Sequence, residues 1–168
     1  MVLILKKEVI IKKIKKYKKI IEKYLKDNNI KEYELKIVSN AHTAKQAANS
    51  VGCDVGKIVK SLVFKVKDKD IPVMFITSGK NRVDLKKVSN YFNENIISVD
   101  ADYVKQKTGY SIGGVSPFFH KEDIKMFIDK DLLKYSDVWT AAGHPKTLLN
   151  IKLKDLIKIT NPEKIEVN

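Results

Sequence analysis

The chain has 168 residues, and its 33 Lys and Arg against 20 Asp and Glu give a net charge of +13. The length suits one domain with a real core, and a single cysteine, Cys53, excludes an intrachain disulfide framework. Val2-Leu3-Ile4-Leu5 runs straight into Lys6-Lys7, too short for a signal sequence, and no window approaches a membrane span; a soluble protein of the reducing cytoplasm, with no membrane partner, is expected.

The first predicted element is a long amphipathic helix from about Glu8 to Asp27. Ile10, Ile14, Tyr17, Ile21, Tyr24 and Leu25 recur mostly at three- and four-residue steps. Between them lie Lys12, Lys13, Lys15, Lys16, Lys18 and Lys19. Through Lys36 the chain holds 12 Lys and 5 acidic residues, more than half of the net charge. Such a run is either a solvated helix face or a contact for phosphates, and nucleic acid is the first anionic partner to consider. A Lys-, Ile- and Asn-rich composition from an AT-rich genome or a hot habitat accounts for the same excess.

Asn28-Asn29 ends this helix and a strand follows over Tyr33 to Val38. Thr43 caps a helix through Val51, which Gly52 stops. Asp54 caps a short turn that feeds the apolar run Ile58-Val59-Lys60-Ser61-Leu62-Val63-Phe64. The polar turn Lys67 to Asp70 predicts a hairpin with Pro72 to Thr77. A helix is predicted from Asp84 to Phe92, a strand from Ile96 to Val99, and a helix from the Asp100 cap to Lys107, stopped by Gly109. The loop Ser111 to Pro117 precedes strands at Lys125–Ile128, Val138–Ala142 and Leu148–Leu153, and a closing helix at Lys154–Ile159. Short strands mixed with helices of varied length indicate a single α+β domain.

Lys60 is the residue that most needs a reason. Alternation along a strand puts it on the face of Ile58, Leu62 and Phe64, the larger apolar set. A buried ammonium is costly unless an anion or a hydrogen-bond acceptor meets it. Other motifs fall away. Gly114-Val115-Ser116-Pro117-Phe118 lacks the last glycine of a nucleophile elbow, and Pro117 removes an N–H that the elbow uses. Met74 stands where a P-loop ending at Gly79-Lys80 needs its first glycine. His42, His120 and His144 have no metal-ligand spacing, and no metal or cofactor is expected.

The order Ala47-Ala48, then Ile58 to Phe64 with Lys60 at its centre, then Gly109 through Pro117, then Ala142-Gly143, closely resembles the YbaK/ProX family of free-standing aminoacyl-tRNA deacylases. These are related to the editing domain of bacterial prolyl-tRNA synthetases. The resemblance covers roughly Glu34 to Thr160, so residues 34–160 form the family core and 1–33 a helical extension. It implies a mixed, mostly antiparallel, strongly curved sheet surrounded by helices. It also implies Lys60 as the catalytic residue, orienting the substrate's end. Gly113, Gly114, Val115, Ser116 and Pro117 would hold the aminoacyl ester and the terminal adenosine. Gly143, His144 and Asn150 would complete the substrate site, although Asn150 cannot supply the carboxylate that some members carry near there. Aminoacyl-tRNA is the implied substrate and partner, with tRNA for proline carrying Ala, Cys or Ser foremost; a synthetase partner is compatible. Lys12, Lys13, Lys15, Lys16, Lys18 and Lys19 are the expected tRNA contacts. A non-catalytic RNA-binding module and a small-molecule ester hydrolase are the alternative readings.

Overall fold

The computed structural model describes residues 2–168, with side chains described from Glu8 onward. Helix α1 (Val2–Asp27) buries Ile14, Ile21 and Leu25 along one stripe, while Lys12, Lys13, Lys15, Lys16, Lys18 and Lys19 are all exposed. Ile21 and Leu25 are fully buried and join the largest apolar cluster, alongside Ile128, Leu132 and Leu149. Burying each stabilises the fold by roughly 1.5–3 kcal/mol. The helix is therefore packed into the core.

Strand β1 (Tyr33–Ile37) leads to α2 (Ala44–Val51). A reciprocal capping box starts α2: Gln46 N donates to Thr43 Oγ1 and Thr43 N donates to Gln46 Oε1, both at 3.1 Å. Gly52, with φ +72°, ends it in the left-handed region, and its N–H donates to Ala48 O. Asp54 caps a 3-10 turn, Val55–Lys57. The hairpin then forms from β2 (Val59–Val66) and β3 (Ile71–Ser78).

Asp84 caps α3 (Leu85–Phe92), β4 (Ile96–Ser98) follows, and Asp100 caps α4 (Ala101–Thr108), which ends at Gly109. After the loop come β5 (Lys125–Asp129), a 3-10 turn at Lys130–Lys134, β6 (Asp137–Ala141), β7 (Thr147–Lys152), α5 (Leu153–Thr160) and β8 (Glu163–Ile165).

The α+β class and the mixed, mostly antiparallel pairing are as expected, but the strands are divided between two sheets where one was expected. One has the order β1-β7-β6 and the other β4-β2-β3-β5-β8. Among the strand pairs of the described residues, β3–β5 and β5–β8 are parallel and the rest antiparallel. An isolated bridge, Ile58 to Trp139, joins the sheets. Apolar clusters lie on both faces of β2. Phe64 and Val66 pack with Phe75, Phe127 and Val88, whereas Val63 packs with Val104, Tyr110 and Val115. The alternation assigned Lys60 to one face correctly, but the opposite face is no less buried, as Val59 and Val63 show.

Candidate active site

The cleft lies along an unpaired stretch of β2. Among the described residues, the outer side of β2 has a single bridge to β6 at Ile58, just before the strand, and a ladder to β4 that begins at Phe64. Two hydrogen bonds fix which main-chain groups point where. Gly79 N donates to Ile58 O on the β3 side at 2.7 Å, and Lys67 N donates to Asn95 O on the β4 side at 2.9 Å. Because main-chain groups alternate sides along a strand, the N–H and C=O of Ser61 and Val63 point to the open edge. Ile58 through Phe64 all line a cleft of about 380 Å³ at that edge. Its other walls are the α2 segment, with His42, Thr43 and Ala47, and the loop after α4, with Ile112, Gly113 and Val115.

Lys60 is half-buried in this lining, and its Nζ donates to the Asn81 carbonyl. Burial pulls the ammonium's pKa down, as does the nearby Arg82 charge, while Asp129 pushes it up. Asn81 is itself fixed: Nδ2 donates to Asp129 Oδ2 at 2.8 Å and to Asp131 Oδ2 at 2.7 Å. Asp129, 1% exposed, also accepts from Ser78 N and Asp131 N.

The glycine loop and the Gly143-His144 segment are packed back to back. A Cβ on Gly114 would lie 2.8 Å from His144 Cα, so only glycine permits this approach. Gly143, at φ +89°, lies beneath Tyr17 of α1, whose ring would be 2.7 Å from an added Cβ. Tyr17 Oη donates to Gly109 O at 3.4 Å. Helix α1 thus braces both segments.

The sequence-predicted residues divide into two groups. Lys60, Gly113 and Val115 line the cleft. Gly114 and His144 back the wall, with His144 Nδ1 accepting from Lys146 N at 3.1 Å. Burial, Lys146 and Lys13 pull the His144 pKa down. Ser116 is fully buried and its carbonyl meets His120 Nε2 at 2.7 Å; Pro117 is buried beside it. Asn150 lies outside the cleft lining, one alternation beyond Leu148 on β7 and so about 7 Å along the strand. Its amide donates to Asp137 Oδ2 at 3.0 Å and to Val138 O at 3.3 Å, and Lys57 pairs with Asp137 at 2.8 Å.

Neither Ser116 nor Cys53 is set up as a nucleophile. Ser116 is enclosed, and burial pushes the Cys53 thiol pKa up, opposite to the shift an attacking thiolate needs. Among the described residues, no three His, Cys, Asp or Glu side chains gather as metal ligands. Asn81 and Asp129 were not singled out from sequence. The available signal was a carboxylate closing the apolar run Met126-Phe127-Ile128 at the end of a buried strand.

Comparison with known proteins places the chain in a family. The model of the aminoacyl-tRNA editing domain matches residues 38–159. A crystal structure described as a candidate trans-editing enzyme for prolyl tRNA synthetase superposes with a TM-score of 0.81 at 33% identity, covering 88% of this chain and 94% of that one. A candidate Cys-tRNA(Pro)/Cys-tRNA(Cys) deacylase of Enterococcus faecalis is 28% identical over 82% of this chain and 84% of its own length. The proline–tRNA ligase of Limosilactobacillus fermentum is 31% identical over 58% of this chain, a match that spans 18% of the ligase. The chain therefore belongs to the aminoacyl-tRNA editing domain family, and it is an aminoacyl-tRNA deacylase, a hydrolase of the ester that joins an amino acid to tRNA.

Proposed function

We propose that this chain edits in trans, hydrolysing mischarged aminoacyl-tRNA, with tRNA for proline carrying Ala, Cys or Ser as its substrates. The observation that carries this reading is a lone ammonium, Lys60, beside an open strand edge in a small cleft walled by the Gly113–Pro117 loop. An aminoacyl ester offers a carbonyl that needs donors and an α-ammonium that needs acceptors. The edge offers N–H donors and carbonyl acceptors side by side, and Lys60 adds a positive charge for the oxyanion that develops during hydrolysis. Water is the attacking group, and the protein's contribution is positioning and charge stabilisation. Gly113 and Val115 hold the aminoacyl end, Gly114, Ser116, Pro117, Gly143 and His144 support that wall from behind, and the exposed lysines of α1 hold tRNA phosphates.

The test is a panel of mischarged tRNAs, centred on tRNA for proline carrying Ala, Cys or Ser, with Lys60→Ala as the control. Removing one such electrostatic interaction costs ~3 kcal/mol in the barrier, so deacylation should fall at least about a hundredfold while the melting temperature holds. A folded Lys60→Ala protein with near-normal turnover overturns the catalytic assignment. Tight tRNA binding without hydrolysis of any ester in the panel would leave a binding module instead. Turnover of free aminoacyl esters with no benefit from tRNA would point to a small-molecule hydrolase.

A further inference from the structure

Lys60, Thr77 and Asp129 stand in one row across three strands. Lys60 is opposite Thr77 in the β2–β3 register, and Asp129 follows Ile128, the partner of Ile76, by one step in the parallel β3–β5 register. All three therefore share the face of the sheet that carries Phe64, Phe75 and Phe127. The charged groups facing Lys60 come from three places. Arg82 lies in the turn after β3, Asp129 ends β5, and Asp131, exposed, sits in the following 3-10 turn with its carboxylate on Asn81. Asp129 alone is a buried carboxylate with its Oδ2 committed to the Asn81 amide and to Ser78 N. Thr77 Oγ1, fully buried between Lys60 and Asp129, has no hydrogen-bond partner among the described residues.

Asn81 connects the two ends of this row. Its side chain is clamped by two carboxylates, and its main-chain carbonyl accepts the Lys60 ammonium. A carbonyl on a free surface turn would hold the ammonium weakly, because the turn itself could move. Here Asn81 N also donates to Ser78 O at 3.0 Å and Gly79 N to Ile58 O, which ties the turn back to the start of β2.

We propose that Asp129 and Asn81 are positioning residues for the Lys60 ammonium: Asp129 clamps the Asn81 turn whose carbonyl holds it, and supplies the buried counter-charge on that face of the sheet. This deepens the deacylase reading and rests on it for the catalytic consequence, but the placement of Lys60 can be measured without any substrate.

The experiment compares wild type, Asp129→Asn, Asn81→Ala and Asp131→Asn, each also in the Lys60→Ala background. Lysine side chains are isotope-labelled, the Lys60 signal is assigned by its absence in Lys60→Ala, and its titration is followed by NMR. Removing the counter-charge in Asp129→Asn should move the Lys60 titration to lower pH, and the alkaline limb of kcat should move with it. Asn81→Ala should cut kcat about tenfold with KM within twofold. Asp131→Asn, a change at an exposed residue, should give a smaller loss in the same sense. In the Lys60→Ala background each substitution should alter the residual rate by less than twofold. An unmoved Lys60 titration in folded Asp129→Asn, or losses that add fully to Lys60→Ala, overturns the positioning role. A shifted titration in a protein inactive on every tRNA would instead overturn the deacylase reading while leaving the clamp in place.

Discussion

Gly114→Ala tests the back-to-back packing of the two loops. The new methyl would lie 2.8 Å from His144 Cα and 2.9 Å from its N and C, where ordinary contacts start at 3.4 Å. All three obstructing atoms are main chain, so no rotamer change relieves them. The His144 side resists: its carbonyl accepts from Thr147 N and from Thr147 Oγ1, each at 2.9 Å, and Tyr17 sits on Gly143. The glycine loop must then retreat by about half an ångström, taking Gly113 and Val115 out of register with the cleft. If a misplacement of 1 Å costs about a hundredfold, half of that costs about tenfold in kcat/KM. Overpacking adds about 1–3 kcal/mol of destabilisation, a fall in Tm of roughly 2–12 °C for a chain of this size. Gly52→Ala is the matched control. It has φ +72° and nothing within 4 Å, so it suffers backbone strain of about 1–2 kcal/mol without displacing any cleft wall. Melting curves and single-turnover deacylation of the tRNA found in the panel should show both variants less stable but only Gly114→Ala slow. Equal activity in the two variants would refute the claim that loop packing shapes the cleft.

Two further outcomes are expected. Replacing Lys12, Lys13, Lys15 and Lys16 together by Glu should weaken tRNA binding and flatten its dependence on salt, by up to ~0.7–0.9 in log–log slope for each phosphate no longer neutralised, while hydrolysis of a minimal aminoacyl ester is unchanged; unaltered tRNA affinity would mean that the lysines are only a solvated face. Deleting α1 is not a clean substitute, because Ile21 and Leu25 leave the core with it. His120 is pulled below its ordinary value of 6.5, mainly by burial and partly restored by the Ser116 carbonyl. With the folded value depressed, the unfolded chain takes up the proton first, so stability is lost as pH falls below about 6.5. His120→Gln should reduce the drop in Tm between pH 7.5 and pH 5.5, and an identical drop in the variant would remove His120 as a cause.

The helices of the core were legible because their ends carry chemistry in the sequence. Thr43, Asp84, Asp100, Gly52 and Gly109 mark starts and stops that the structure reproduces within a residue or two. Strand β8 was missed because Glu163-Lys164-Ile165 is short, charged and held only at a sheet edge. The division into two sheets was invisible because it depends on which distant strands meet, and a single bridge at Ile58 decides it. At the site, alternation gave the face of Lys60, but not its acceptor. That acceptor is a main-chain carbonyl 21 residues away, an atom every residue type possesses. Asn150 entered the expected site only through the family resemblance; in the fold Asp137 holds its amide, and it is not among the residues that line the cleft.

The open edge of β2 has a consequence for how such a cleft can change over evolutionary time. Main-chain donors and acceptors at Ser61 and Val63 survive nearly every point substitution, proline excepted. On the proposed reading they meet the ester and ammonium that all aminoacyl ends share, so they are indifferent to which amino acid is attached. Discrimination falls to the walls, where residues as small as Ala47 and as large as Ile112 can be exchanged without touching the floor. A change of edited amino acid is then a matter of refitting the walls around a floor that mutation can scarcely reach.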